Sequence, residues 1–355
     1  MPLFAACVPF AGGSSIGAAD SAGQLSTQSA TATSSQHIKP NPRQYPKSTP
    51  TIRSTTHKPG TGHHRPSRHR SSTATATSPA PSSSSSAPSP TATATSKPAP
   101  GGWPGESNTG VPAGTSLSAY SGPLTITTPG TTIVGKLVKG DLEIKAKNVT
   151  IVRSQVEGGI MTVDGSGASV TLTDSEVHVG PREVKAVQGN NFTITRTELS
   201  GGNSGGLCST CTVTDSWMHG QEIPSNQPWH ASGFRADQYT TLRHNTIACD
   251  ARDTSVGGGC SAGLTMYGDW QPVAHVTIDN NLFVATVDGS FCTYGGSSGG
   301  KPYSGGANNI VFTNNVFQRG ANGDCGKYGP VGDFDPKAPG NVWSGNHWDD
   351  GSVFN

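Results

Sequence analysis

Several features of other protein classes are missing from this chain. It has no run of about 18 apolar residues, so we predict no membrane-spanning helix. No window combines the 3.6-residue apolar period of an α-helix with capping residues. None of the seven cysteines has the spacing to histidine of a zinc finger. These absences argue against helical bundles, membrane helices and zinc modules.

The chain is also poor in core-forming residues. Only 32% of its 355 residues are hydrophobic and 6% are aromatic, whereas glycine is abundant at 47 residues. Residues 1–115 carry 9 Lys/Arg and 2 Asp/Glu, a net charge of +7. Residues 116–355 carry 15 Lys/Arg and 21 Asp/Glu, a net charge of −6. Opposite signs indicate different tasks for the two parts. An acidic second part argues against a nucleic-acid partner, because the phosphate backbone attracts basic surfaces.

The first part of the chain lacks the pattern of a folded domain. Residues 1–20 resemble the remnant of a secretion signal, with an apolar run and small residues but no basic start. Residues 21–115 are mostly Ser, Thr, Pro and Ala; they bury too little apolar surface to become ordered and resemble extracellular stalks. The basic cluster from His63 to Arg70 is either a contact to an anionic wall polymer or a solvated patch. We therefore expect a secreted protein and consider association with a cell wall.

Six of the seven cysteines fall in the second part, in glycine-rich segments. An even number in such a setting favours disulfides and an oxidising compartment. The expected pairs are Cys249–Cys260, Cys292–Cys325 and Cys208–Cys211. The first two would each close a long insertion. The last has the C-x-x-C spacing of a redox pair, but the βα context of thioredoxin-like proteins is missing.

One short frame repeats eight times in the second part. Positions are counted from the first residue of each copy, which is Val149 in the first one. Apolar residues stand there, at plus two (Ile151) and at plus seven (Val156), and Ser154 stands at plus five. The other copies begin at Val170, Phe192, Cys211, Thr240, Val276, Ile310 and Asn341. Plus five is always Ser, Thr or Asn. A recurring frame of this kind indicates a repeat architecture.

The spacing of the frames predicts the fold. Their starts lie 21, 22, 19, 29, 36, 34 and 31 residues apart; about 20 residues suffice for three short strands and three turns, and the longer spacings leave room for loops. The plus-five residue would lie between strands, where Asn, Ser and Thr turn the chain and Asn tolerates left-handed backbone. We predict an all-β fold over residues 116–355, a right-handed single-stranded parallel β-helix of eight coils. Both ends need caps, with Trp343 and Trp348 at the C-terminal end.

Three strings carry a family resemblance. HVTIDNNLF, NIVFTNNVF and TTLRHNTI resemble the repeats of the pectin-lyase-like superfamily of right-handed β-helix proteins, and the resemblance extends from about Leu117 to Asn355. That superfamily includes lyases, hydrolases, epimerases, tailspikes and adhesins, so the resemblance is specific for fold and not for activity. It implies that a site lies on the outer face of the strands preceding each frame.

Those strands fall at residues 186–188, 206–208, 233–235, 263–267 and 292–294. If Phe234 and Leu264 point inward, strand alternation turns Arg235, Asp237 and Tyr267 outward. The insertions would wall this face and supply aromatic and charged groups that suit a sugar chain. The candidate sugar-binding residues are Trp229, Asp269, Trp270, Tyr294 and Lys301, with His219 and Tyr303 also in the walls.

The segment PWHASGFRADQ, residues 228–238, is the strongest local candidate. It resembles an H-x-D-G-[IF]-Q pattern seen in many secreted β-helix proteins, but Ser232 replaces the Asp and Arg235 replaces the Gln. For a lyase, Arg235 would neutralise a uronate, His230 would act as the base and Tyr267 would protonate the leaving oxygen.

A hydrolase remains the other chemistry. It needs two carboxylates flanking the bond, and Glu222, Asp237 and Asp269 are available. The adjacent aspartates near Gly-His-Gly that are typical of polygalacturonases are absent. A purely structural interpretation would bond His230 to a loop carbonyl and pair Arg235 with Asp237.

We therefore predict a secreted protein that acts on an extracellular polysaccharide, as a lyase before a hydrolase. The alternative is a non-catalytic carbohydrate-binding or adhesin-type module of the cell wall. We expect a monomer without a membrane span or a nucleic-acid partner. Asp349 and Asp350 are candidate calcium ligands, although a solvated terminal turn is the favoured interpretation.

Overall fold

The structure, a computed structural model, describes residues 102–354. The predictions of a secretion signal, of the stalk up to residue 101 and of the basic cluster lie outside the described residues. Within 102–354 the chain forms β-strands and a single 3₁₀ turn, Ser304–Gly306, and no α-helix. In the same range no helix is long and apolar enough to cross a membrane.

The strands are short because each spans only one side of a coil. In chain order they are β1 (Ser118–Ala119), β2 (Thr125–Ile126), β3 (Thr132–Val134), β4 (Lys136–Lys139), β5 (Leu142–Ile144), β6 (Val149–Val152), β7 (Gln155–Glu157), β8 (Ile160–Thr162), β9 (Val170–Thr173), β10 (Glu176–His178), β11 (Lys185–Asn190), β12 (Phe192–Thr195), β13 (Glu198–Ser200), β14 (Ser204–Ser209), β15 (Thr212–Thr214), β16 (Trp217–His219), β17 (His230–Ala236), β18 (Thr241–Arg243), β19 (Thr246–Ile247), β20 (Gly259–Thr265), β21 (Ala274–Asp279), β22 (Leu282–Phe283), β23 (Phe291–Tyr294), β24 (Asn308–Thr313), β25 (Val316–Phe317), β26 (Val331–Gly332), β27 (Val342–Ser344) and β28 (His347–Trp348).

These strands form three sheets whose neighbours pair in parallel. Sheet 1 has the order β2-β5-β8-β11-β14-β17-β20-β23-β26, sheet 2 runs from β3 to β27 and sheet 3 from β1 to β28, each in steps of three strands. The chain therefore passes through sheets 1, 2 and 3 in turn. The predicted right-handed parallel β-helix is confirmed, and its hand is the one that crossovers between parallel strands take in about 98% of cases.

The repeat frame sets the register between coils. Residues at plus two pair with each other on sheet 2, as Ile151 does with Leu172, and residues at plus seven pair on sheet 3, as Val156 does with Val177. A further coil, formed by β2, β3 and β4, precedes the eight frames. The strand-like pieces at residues 124–126 and 142–144 predict a first coil in this region, although Lys136 stands where the eight frames have Ser, Thr or Asn.

The plus-five residues do not make the turn themselves, which corrects the prediction. The left-handed backbone lies one residue earlier, for example at Arg153 with φ 46° and Asn280 with φ 51°. The plus-five side chains are buried instead. In the last four coils they form a ladder, in which the Asn245 backbone N–H donates to Oδ1 of Asn281 at 3.0 Å and the Asn281 N–H donates to Oδ1 of Asn315 at 2.9 Å. The polar residue thus satisfies the backbone of the neighbouring coil.

The C-terminal end of the described coils is covered. Trp348 is buried and Trp343 packs on Phe312 and Phe354, with ring centroids 5.0 and 5.7 Å apart, as the predicted plug requires. Residues before the predicted boundary at 116 also contact the coils, since Trp103 stacks on the ring of His244 in the fifth frame at 5.4 Å. We call residues 102–111 the N-terminal strap.

The three predicted disulfides are present. They join Cys208 to Cys211, Cys249 to Cys260 and Cys292 to Cys325. The last two bridge 11 and 33 residues of sequence. They brace the insertions that rise beside sheet 1.

Candidate functional site

A groove of about 750 Å³ lies on the outer face of sheet 1. Its floor comes from β17, β20 and β23, and its walls come from the loops that follow β19, β20, β22, β23, β25 and β26. Those loops account for the long spacings between the repeat frames. The groove therefore lies on the strands that precede the frames, where the sequence places the site.

Arg235 occupies one end of this groove. Strand alternation buries Phe234 completely and turns Arg235 outward, where it is half-buried. Its Nη2 donates to Oδ2 of Asp269 at 2.7 Å, and Nζ of Lys301 donates to Oδ1 of the same carboxylate at 2.8 Å. The partner of Arg235 is thus Asp269, from a loop, and not Asp237 as the structural interpretation supposed.

Two aromatic rings enclose these cations. The Arg235 guanidinium carbon lies 5.4 Å from the ring centroids of both Tyr267 and Trp270, and Nζ of Lys301 lies 4.7 Å from that of Tyr267. Cation–π contacts of this kind hold a guanidinium in place while leaving its edge free for a ligand. Trp270 is 61% exposed, so one of its faces remains open to a sugar ring.

The environment separates the protonation behaviour of three groups. Burial would raise the pKa of Asp269, but the hydrogen bonds from Lys301 and Arg235 outweigh it and the pKa is lowered. Burial raises the pKa of Tyr267, with Tyr294 adding to the effect. Burial also raises the pKa of Asp237 to about 6, against the opposing charge of Arg235. Asp269 therefore stays ionised, Tyr267 stays protonated, and Asp237 titrates near neutral pH.

Three further aspartates belong to the groove lining. Asp253, Asp288 and Asp333 line it together with Lys327 and Tyr328. Asp288 accepts from the Asp253 backbone N–H at 3.2 Å. Unlike Asp269, none of these three carboxylates is bonded to Arg235.

A row of four aromatic rings lies beside the groove. The ring centroids of Tyr267 and Tyr294 lie 5.1 Å apart, those of Tyr294 and Phe291 5.1 Å, and those of Phe291 and Tyr328 6.0 Å. Flat rings with one polar edge suit sugars, which present both C–H faces and hydroxyl groups. Phe291 and Tyr294 both belong to β23, so the row runs partly along this strand and partly between neighbouring coils.

A smaller cleft of about 80 Å³ adjoins the Arg235 end; we call it the side cleft. Lys185 of β11 lines it with Arg235, over a floor that includes the buried side chains of Ser204, Ser232 and Thr265. Burial, with the charge of Arg235 adding to it, lowers the pKa of Lys185.

Sequence reasoning missed Lys185. Ala186 and Val187 are both fully buried, so the strand does not alternate there. Because side chains two residues apart normally share one face of a strand, the inward Val187 would predict that Lys185 also points into the core. Only the irregular strand brings this lysine to the outer face.

Most of the predicted site residues meet in the groove. His230, Arg235, Tyr267, Asp269, Tyr294 and Lys301 line it, and Trp270 lies against Arg235. Besides Trp270 and His219, four predicted residues line neither the groove nor the side cleft. Glu222 is exposed, Trp229 and Asp237 are partly buried beside the groove, and Tyr303 packs on Gly268.

His219 also lies elsewhere, because β16 belongs to sheet 3. Its Nε2 lies 3.0 Å from Oε1 of Glu198, and its ring stacks on Trp217. In the frame that starts at Cys211 this histidine stands at plus eight, three positions beyond plus five, on the side of the coil that faces away from the groove. The predicted contribution of His219 to the groove wall was wrong.

The candidate calcium ligands have protein partners. Oδ2 of Asp350 accepts from Nε of Arg319 at 2.8 Å, and Oδ1 of Asp349 accepts from the Arg319 backbone N–H at 3.3 Å. Among residues 102–354 no group of three or more His, Cys, Asp and Glu side chains is arranged to hold a metal ion.

Fold and groove together define a parallel β-helix with a mixed-charge, aromatic-lined groove on the outer face of one sheet. In comparisons with known proteins, the chain matched no protein family, no curated protein and no solved structure.

Proposed function

We propose that this protein is a secreted enzyme of the pectin-lyase-like type that cleaves an acidic extracellular polysaccharide by elimination. The observation that carries the proposal is the arrangement at Arg235. A held guanidinium, a protonated phenol and an imidazole line the same groove. These are the three groups that elimination from a uronate requires.

Each group has a role consistent with its surroundings. Arg235 neutralises the uronate carboxylate and so stabilises the charge that develops when the neighbouring C–H proton is lost. His230, which lines both the groove and the side cleft, accepts that proton. The electron pair forms a C=C double bond, the glycosidic C–O bond on the β carbon breaks, and Tyr267 donates its proton to the leaving oxygen.

A hydrolase is supported less well. It needs two carboxylates flanking the bond, and the three candidates are separated by their surroundings. Glu222 is exposed outside the groove lining, Asp269 is held by Arg235 and Lys301, and Asp237 lies beside the groove. The raised pKa of Asp237 would suit a general acid, but no second free carboxylate lines the groove near Arg235.

Three disulfides support the proposed location, because such bonds persist mainly in secreted proteins. A non-catalytic carbohydrate-binding module of the cell wall is the second candidate. It is favoured by the Asp269 carboxylate, which already compensates Arg235 and Lys301 and makes the groove well suited to hold a ligand without chemistry.

A screen on purified acidic and neutral polysaccharides tests the proposal. We expect ultraviolet absorbance from a new double bond on an acidic glycan. Arg235→Ala should lower kcat by about 10²–10³-fold, the usual effect of removing a group that stabilises developing charge. His230→Ala should lower it by about 10²–10⁴-fold.

Arg243→Ala is the matched control. Arg243 is also ion-paired, to Asp279 at 3.2 Å, but it lies on sheet 2 and should leave activity unchanged. Full activity in both Arg235→Ala and His230→Ala would refute the site. New reducing ends without a double bond would assign hydrolysis, and tight binding without either product would assign the binding module.

A further inference from the structure

The side cleft carries an uncompensated positive charge. Lys185 and Arg235 line it, and no carboxylate does. Asp269, the partner of Arg235, lines the groove but not the side cleft. The Lys185 side chain forms neither a salt bridge nor a hydrogen bond with any residue of the described range, and Glu183, whose charge acts on it at longer range, is exposed. Within that range Lys185 thus has no neutralising partner, whereas Arg235 shares the Asp269 carboxylate with Lys301. A partly buried, unpaired cation beside a second cation favours an anion between them.

The floor of the side cleft is polar and rigid. Ser204, Ser232 and Thr265 are each at most 4% exposed, and the Ser204 hydroxyl is held by the Gly206 backbone, donating to its carbonyl at 2.8 Å. Oδ1 of Asn203 is buried at the same cleft without a hydrogen-bond partner. It offers an acceptor to a donor such as a sugar hydroxyl. The cleft therefore presents cations for an anionic group and an acceptor for a neighbouring hydroxyl.

The carboxylates of the groove impose the opposite requirement. Asp253, Asp288 and Asp333 line the groove, and Lys327, another lining residue, has its Nζ 5.3 Å from the ring centroid of Tyr328. A chain with a carboxylate on every residue would bring negative charge against these aspartates. A chain that is neutral or bears amino groups there would not.

The spacing of the coils can be compared with the length of a glycan chain that spans the side cleft and the groove. Lys185 is on β11 and Tyr294 on β23, four strands apart in sheet 1. Neighbouring strands lie about 4.8 Å apart, so the span is about 19 Å. A sugar residue in an extended chain has about the length of one such step. A glycan that runs along the helix axis over sheet 1 thus places about one residue on each coil.

We propose that the side cleft binds the anionic substituent of a single sugar residue, and that the groove selects a heteropolysaccharide in which acidic residues are isolated rather than contiguous. This inference rests on the proposed function and narrows its substrate class. A uronate carboxylate and a sulfate ester present the same chemistry to Lys185 and Arg235.

Binding to defined oligosaccharides of equal length tests this. The probes are an oligomer alternating uronate with N-acetylhexosamine, its analogue with a sulfate ester in place of the carboxylate, a neutral analogue and a homo-oligouronate. Affinities are measured by calorimetry in full-length Tyr267→Phe, which lacks the proposed proton donor and should not cleave its ligand. We expect at least one alternating acidic oligomer to bind about 10-fold more tightly than the neutral one and than the homo-oligouronate.

Variants test separately the contribution of the side cleft and that of the groove aspartates to the ligand preference. Lys185→Met should remove the advantage of the acidic over the neutral oligomer, Lys185→Arg should retain it, and the exposed Lys139→Met should change nothing. The oligomer that loses affinity in Lys185→Met identifies carboxylate or sulfate as the bound group. Asp288→Asn should improve the affinity for the homo-oligouronate several-fold without affecting the alternating oligomers.

Two results would overturn the inference. One is a homo-oligouronate that binds as tightly as the alternating oligomers, and the other is unchanged affinity in Lys185→Met. Neither result bears on the double-bond assay of the parent protein. Elimination activity on a homopolyuronate would therefore support the proposed function and reject this substrate class. Selective binding of an alternating oligomer without turnover would support the substrate class and reject the proposed elimination.

Discussion

The asparagine ladder allows a quantitative test of what holds the coils together. Asn281 is completely buried. Its Oδ1 accepts from the backbone N–H and from Nδ2 of Asn245 at 3.0 and 2.9 Å, and its Nδ2 donates to Oδ1 of Asn315 at 3.0 Å and to the Leu242 carbonyl at 2.9 Å. The side chain therefore connects its own coil to both neighbours.

Asn281→Ala leaves the Asn245 backbone N–H buried without an acceptor, which costs about 1–3 kcal/mol. The other three hydrogen bonds are worth about 1 kcal/mol each, but Nδ2 of Asn245 retains its bond to the Val213 carbonyl at 2.9 Å. We therefore expect the free energy of unfolding to fall by about 3–5 kcal/mol. Urea unfolding with the disulfides intact measures the change.

Asn281→Ser is the informative second variant. The N-terminal coils already use serine in this way, since the Ser154 N–H donates to Oγ of Ser175 at 3.1 Å. Serine at 281 should restore the acceptor and cost only about 1–3 kcal/mol. The surface variant Asn322→Ala should cost under about 1 kcal/mol. The ladder argument fails if Asn281→Ala lies within about 1 kcal/mol of the parent, or if serine is as damaging as alanine.

Two further predictions concern stability. Because the pKa of Asp237 is raised to about 6 in the folded protein, the native state binds the extra proton, and stability should fall as the pH rises from about 4 to 6. Asp237→Asn should then be more stable than the parent by about 1–3 kcal/mol at pH 7 and equal to it below about pH 4; equal stability at both pH values would contradict the raised pKa. Replacing Cys292 and Cys325 by serine should destabilise more than replacing Cys249 and Cys260, because the loops span 33 and 11 residues and a longer loop gains more entropy when opened. Chemical unfolding compares the two double variants, and the reverse order would contradict the entropic argument.

The repeat frame determined the fold without help from the structure. On sheets 2 and 3 the nearby sequence is enough to predict which side chains point inward. Apolar residues two positions apart, such as Val149 and Ile151, define the inward face of their strand. Stacking copies of one frame then forces plus-two residues to pair with plus-two residues. The six paired cysteines followed as well, because they fall in the glycine-rich segments of the long insertions and in one short C-x-x-C.

The tertiary structure decided what the frame does not specify. Arg235 was predictable as an outward residue, but its partner came from a loop 34 residues later, at Asp269. Lys185 reached the side cleft through a strand that breaks its alternation, and His219 went to sheet 3. Loop length alone does not state where a loop folds back, because that depends on the charges and rings it meets on other coils. The architecture of this protein is therefore encoded locally, whereas the composition of its groove depends on contacts between residues distant in sequence.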